Sequence, residues 1–198
     1  MLLYITDRRH FSGDILSKIS EAVTAGVDYI QLREKDLSAR ALEALALRTQ
    51  NQELLTRNSK SALLINSRPD VAMAVGAQGV HLPANDISPR EIRRIWRGSS
   101  PPVIGVSCHN EDEVSQAAAE GADFAVFGPV FEKGNTPPQG LVRLRSACKH
   151  SIPVFALGGV TLANARSCLD AGAAGLAAIR LFQENNVAEV VAALRHLS

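Results

Sequence analysis

One phrase recurs along the chain and limits its architecture more than any other feature. An alanine-rich stretch ends in glycine, and a short linker then leads into an apolar run: AVTAGVDYI, AVGAQGVHL, AAEGADFAVF and LDAGAAGLAAI. Eight apolar, β-rich runs can be marked, at Leu2–Thr6, Tyr29–Arg33, Ala62–Ile65, Gly79–Leu82, Val103–Val106, Phe124–Phe127, Val154–Leu157 and Gly175–Ile179. Between them lie stretches with helical spacing, clearest in Ser38–Arg57, Asn110–Glu120 and Thr161–Ala171. Ser88-Pro89-Arg90-Glu91 reads as an N-cap with Pro at the first helical position and an acid at the third. Gly26, Gly76, Gly121 and Gly172 stand where left-handed caps belong.

The 198 residues therefore hold eight βα units with a period of about 25 residues. Strict alternation means parallel strands joined by right-handed crossovers. Eight units favour a closed (β/α)8 TIM barrel, at the compact end for that fold, over an open flavodoxin-like or Rossmann-like sheet. No linker or shift in composition marks a second domain, so residues 1–198 are expected to form one barrel.

Charge and cysteine content narrow the class of function. With 21 Lys+Arg against 20 Asp+Glu, no global basic excess exists to hold nucleic acid. No apolar run is long enough for a membrane span, and the first residues lack the basic lead and apolar stretch of a signal peptide. Cys108, Cys148 and Cys168 are scattered without CxxC spacing, which indicates neither a disulfide framework nor a zinc knuckle. The expected compartment is a reducing cytoplasm.

A barrel of this kind keeps its active site at the carboxyl ends of its strands. Strand two ends in Gln31-Leu32-Arg33-Glu34-Lys35, whose alternation points Gln31, Arg33 and Lys35 the same way. An amide and two cations on one face suit an anion with several oxygens, such as a diphosphate. The plainer alternative pairs Arg33 with Glu34 or another acid at a solvated strand end. Gly158 and Gly159 follow strand seven, and Ile179-Arg180 ends strand eight, where such barrels often hold a phosphate. His109, directly after strand five, is the candidate for proton transfer, against a capping role. His81, within its strand, reads as a core residue. Cys108 reads as inert.

Taken in order, LYITDR, QLREK, LLINSRPDVAMAVGAQGVHL, IGVSCH, ADFAVFGPVF and PVFALGGV resemble the thiamine phosphate synthase / thiazole tautomerase superfamily along almost the whole chain. The resemblance implies a barrel enzyme of thiamine biosynthesis that takes a small phosphate ester. The synthase joins a hydroxymethylpyrimidine diphosphate to a thiazole phosphate and expels diphosphate with magnesium. The tautomerase isomerises a carboxythiazole phosphate and needs no metal. By resemblance, Gln31, Arg33, Lys35 and Asn66 bind diphosphate, and Asp86 is a magnesium carboxylate. Ser107 belongs to the pyrimidine pocket, Gly158 and Gly159 hold the thiazole phosphate, and His109 is the tautomerase's proton-transfer histidine. A homodimer is left open.

Three departures bear on the choice. The second magnesium carboxylate of the synthase pattern is Ser67 here, and a hydroxyl binds a hard divalent cation much more weakly. The phosphate-clamping Thr-x-Thr-Lys run is replaced by Glu132-Lys133-Gly134-Asn135-Thr136, in which Lys133 or Thr136 are the substitutes on offer. Arg180 stands where a serine is expected after strand eight. The lost carboxylate favours a tautomerase-like isomerase using His109. The retained Gln31, Arg33, Lys35 and Asp86 favour the synthase as the alternative. A non-catalytic barrel that binds a phosphate ester is a third reading.

Overall fold

The computed structural model describes residues 1–50, 61–132 and 137–197. The eight expected strands are present: β1 Leu2–Ile5, β2 Tyr29–Leu32, β3 Ala62–Asn66, β4 Gly79–Leu82, β5 Val103–Cys108, β6 Phe124–Phe127, β7 Val154–Leu157 and β8 Gly175–Ala178. Each pairs in parallel with its neighbours in chain order, and β8 returns to β1 with Leu2 opposite Leu176, closing the barrel. The open-sheet alternative is excluded.

The described helices are α1 Ile15–Ala25, α2 Ala39–Gln50, α3 Pro69–Val75, α4 Pro89–Ile95, α5 Glu111–Ala119, α6 Gly140–Ala147, α7 Ala165–Asp170, α8 Arg180–Gln183 and α9 Val187–Arg195. The expected Ser38–Arg57 helix is seen as α2, and its remainder beyond Gln50 lies outside the described residues, as do Lys133 and Thr136. The caps follow the local chemistry. Ser88 Oγ accepts from the Glu91 N–H at 3.3 Å, and Gly26 at φ 87° ends α1 in the left-handed conformation. Helix α7 starts later than Thr161. Asn164 Oδ1 takes the Thr161 N–H at 2.8 Å, and that side-chain-closed turn occupies the first residues of the expected helix.

The linker before a strand carries a repeated fastening. The Asp28, Gln78, Asp123 and Ala174 N–H groups donate to the carbonyls of Leu2, Leu63, Ile104 and Val154 on the preceding strand. In three of the four the side chain answers in return. Asp28 Oδ2 accepts from Leu2 N at 2.6 Å, Gln78 Oε1 from Leu63 N at 2.7 Å and Asp123 Oδ2 from Ile104 N at 2.7 Å.

Strand alternation divides the buried residues into two sets. Outward residues pack against the helices. Inward residues Leu3, Ile5, Leu64, Phe124, Val126, Phe155 and Ala177 form a second cluster inside the barrel, with Tyr29 against it. Phe124 and Phe155 stack at 4.7 Å between centroids, and Tyr29 lies 5.2 Å from Phe124. A side chain at Gly105 would put its Cβ 2.5 Å from the Phe124 ring, so glycine there is what admits the aromatic. This layer closes the amino-terminal half of the interior. The carboxyl-terminal half is polar.

Candidate active site

A cavity of about 630 Å³ opens at the carboxyl-terminal rim, with Gln31, Arg33, Lys35, Asn66, Ser67, His81, Ser107 and His109 in its wall and Leu157 and Ile179 on its far side. Those side chains come from β2, β3, β4, β5, β7 and β8 and the turns that follow them, as the alternation requires. A larger groove of about 880 Å³ runs along α1 and the start of α9, away from the strand ends. Its lysine, Lys18, is already matched to Glu21 at 2.8 Å.

The floor of the rim cavity is a continuous hydrogen-bond chain. His81 Nδ1 lies 2.6 Å from Gln31 Oε1, and its Nε2 lies 3.2 Å from Ser107 Oγ. Gln31 Nε2 donates to Asn66 Oδ1 at 2.8 Å, and Asn66 Nδ2 donates to Ser67 Oγ at 3.2 Å. The strand register makes this possible, because Asn66 stands opposite His81 and Gln31 opposite Leu64 in the same inward set. Burial, with the Arg33 cation second, pushes the His81 imidazole down to about 3 and keeps the ring neutral. Ser67 has a left-handed φ of 53°, held by its N–H on the His81 carbonyl at 3.0 Å.

Arg33 does not pair with Glu34, which corrects the plainer reading of the strand end. Glu34 borders the same cavity but is buried and engaged by other partners. Thr6 Oγ1 donates to it at 2.6 Å, the Arg8 N–H donates to it at 3.1 Å, and the Arg8 guanidinium lies 3.7 Å away. Burial pushes its carboxyl upward from the ordinary value. Thr6 Oγ1 also accepts the Arg33 N–H at 3.1 Å, so one buried hydroxyl fixes both residues. Arg8 is shared with Asp36. The Arg33 and Lys35 cations are left at the cavity without a carboxylate partner among the described residues.

His109 is exposed and lines the cavity. Its N–H donates to Glu113 Oε2 at 2.7 Å, and its Nδ1 lies 3.1 Å from the same oxygen. It therefore joins a cap on α5, as the capping reading expects, and its Nε2 has no partner among the described residues. Cys108 is buried, and burial pushes its thiol up to about 12, in keeping with inertness.

Gly158 and Gly159 sit at φ 95° and 66° on the turn after β7. A Cβ on either would meet the β6–α6 segment, at 2.5 Å from Pro129 and 2.7 Å from Phe131. That segment is laced to the turn by Val130 N to Leu157 O at 2.8 Å and Phe131 N to Gly158 O at 3.0 Å. The pair of glycines thus has a packing reason of its own, beside the phosphate-binding role expected of it. The Gly159 and Val160 N–H groups have no acceptor among the described residues. Arg180 is exposed at the first turn of α8 and is not in the cavity wall, although its neighbour Ile179 is. Asp86 lies on the exposed loop after β4, bordering a separate pocket of about 50 Å³ with Glu113, Gln116 and Glu120.

The reading of His81 as a core residue holds, since it is buried, but its part in the chain across the cavity floor was not read from the sequence, nor were the contacts of Glu34 and Thr6. The parity of β4 carries the signal for the first, since His81 falls two residues after Gly79, in the inward set shared by Gln31 and Ser107.

The family model described as thiamine monophosphate synthase matches residues 2–182. A putative thiamine-phosphate synthase of Geobacter sulfurreducens is 44% identical over 184 residues, covering 90% of this chain and 84% of that protein. The thiamine-phosphate synthase of Thermus thermophilus is 36% identical over 186 residues, covering 91% and 87%. Among solved structures, thiamine phosphate pyrophosphorylase from Pyrococcus furiosus superposes with a TM-score of 0.85 at 31% identity, covering 99% of this chain and 94% of that one. A 3-hexulose-6-phosphate synthase, at TM-score 0.73 and 17% identity, shares the fold alone. The chain is an enzyme, and it belongs to the thiamine monophosphate synthase family.

Proposed function

We propose that this enzyme is a thiamine phosphate synthase. A thiazole nitrogen attacks the methylene of a hydroxymethylpyrimidine diphosphate, the carbon–oxygen bond breaks, and diphosphate leaves. The observation that carries the reading is the pair of unmatched cations, Arg33 and Lys35, beside the amide of Gln31. An isomerase acting on a single phosphate monoester has little use for a second anion site. The tautomerase expected from Ser67 gives way on this ground, and the named relatives are synthases. No described helix is long and apolar enough to cross a membrane.

In this reading Arg33 and Lys35 take up the negative charge that develops on the leaving oxygens, a role for which fixed cations in a partly dry site are effective. Ser107 and Gln31 face the pyrimidine. The thiazole phosphate sits on the free N–H groups of Gly159 and Val160, without the Arg180 contact expected from the sequence, since that side chain lies outside the cavity wall. His109, held through Nδ1 by Glu113, presents Nε2 for proton exchange at the rim.

Magnesium is the ion a synthase calls for. Among the described residues no three His, Cys, Asp or Glu side chains converge. Glu34 is taken by Thr6 and Arg8, Asp86 borders a different pocket, and Ser67 offers only a hydroxyl. These residues do not form a preformed magnesium site, and Arg33 and Lys35 are the charges that this chain itself brings to the leaving diphosphate.

Diphosphate release on mixing the two substrates tests the reading. The protein is expected to couple them, and Arg33→Ala is expected to lower kcat by about 10²–10³-fold, the range for removing one charge-stabilising group. Turnover of carboxythiazole phosphate without coupling would restore the tautomerase, and binding without either reaction would leave the non-catalytic barrel.

A further inference from the structure

We infer that His81 is a positioning residue that sets the direction of the hydrogen-bond chain across the cavity floor, and with it which edge of a ligand the site accepts. The argument starts at Gln31. Its Nε2 is committed as a donor to Asn66 Oδ1, so the atom facing His81 is Oε1, which can only accept. Nδ1 of His81 must then carry the proton. A buried, neutral imidazole has one N–H, which leaves Nε2 as the acceptor for the Ser107 hydroxyl.

The chain therefore runs one way, Ser107 to His81 to Gln31 to Asn66 to Ser67. Its two ends differ in chemistry. Ser107 has spent its proton and shows lone pairs to the cavity. Ser67 receives a bond from Asn66 and keeps its own proton to give, and the second N–H of Gln31 is also a donor. A ligand that lies across this floor needs a donor on the β5 side and acceptors on the β2–β3 side. The reversed chain, with both amides turned over and the proton on Nε2, makes the same number of bonds and selects the opposite edge. The tautomer of one buried ring thus separates the two.

The test reads that tautomer directly. In protein labelled with ¹⁵N at histidine, long-range ¹H–¹⁵N correlations are expected to show a protonated Nδ1 and an unprotonated Nε2 for His81. The opposite pattern overturns the inference. A kinetic arm, which alone rests on the synthase reading, follows the pyrimidine diphosphate. His81→Phe removes both ring contacts and is expected to raise its KM about tenfold, with kcat changed less than about threefold. His81→Asn places an amide donor near the position of Nδ1 and should recover most of that loss. A role confined to folding would lower the active fraction and leave KM alone. Unchanged KM in a folded His81→Phe overturns the inference. Protein that fails to couple but shows the Nδ1 proton sinks the synthase reading and supports this one. If His81→Phe does not fold, the unmodified protein's spectrum and the His81→Asn kinetics still decide.

Discussion

Burial without a counter-charge decides how His81 responds to acid. The unfolded chain protonates this ring near 6.5, whereas the folded one holds it neutral down to about 3. Between those values the unfolded state binds more protons, so His81 makes stability rise with pH and fall toward acid. Between pH 7 and 5 the loss is about 2 kcal/mol for a fully buried ring. Glu34 acts with the opposite sign. Its raised carboxyl favours the folded state below the ordinary value of 4.5, and that contribution is lost as pH rises. Denaturant melts of wild type and His81→Asn at matched pH separate the two. The variant should lose about 2 kcal/mol less than wild type over that interval; equal losses would mean that water reaches the ring.

At the scale of elements, the fastening before the strands is the feature to test. The Asp123 carboxylate holds both the Ile104 N–H and the Arg93 guanidinium, the latter at 2.9 Å. Asp123→Ala should cost about 1 kcal/mol, chiefly from the freed strand N–H, because the arginine contact is half-exposed and screened. A thermal melt indistinguishable from wild type would show that water replaces the carboxylate without cost. The elements themselves were legible because the βα units repeat one hydrophobic rhythm, and four of them one glycine cap. The start of α7 was not, since the turn closed by Asn164 outcompetes the first helical residues. At the rim, the shared facing of Gln31, Arg33 and Lys35 was legible from strand alternation, and Ser107 was named through the resemblance alone. The ion pairs were not. In place of Arg33, Glu34 meets Thr6 and Arg8, residues from another strand end, and contacts between distant segments leave no mark in local spacing. His81 was legible as a buried residue, but its hydrogen-bond partners were not, for a related reason. Its partners lie on two neighbouring strands, and register between strands is settled only when the barrel closes.

Over the whole molecule, the interior is divided across its axis. Aromatic rings fill the amino-terminal half, and hydrogen-bonding groups and unmatched cations occupy the other. Phe124→Ala, at the centre of the aromatic layer, should destabilise the protein by about 3–5 kcal/mol. Denaturation and phosphate-ester binding measured on the same sample should separate, with binding by the remaining folded protein close to wild type. Binding that falls in step with stability would show that the two halves are one mechanical unit. The division also bears on how such a chain can change over generations. Positions near the aromatic layer answer to volume, so substitutions there are filtered by whether the protein folds. Positions at the strand ends answer to the ligand and carry little of the packing. A saturation library should therefore show tolerance that rises along the barrel axis. The same scaffold can drift toward new substrates at one end while the other end holds it folded.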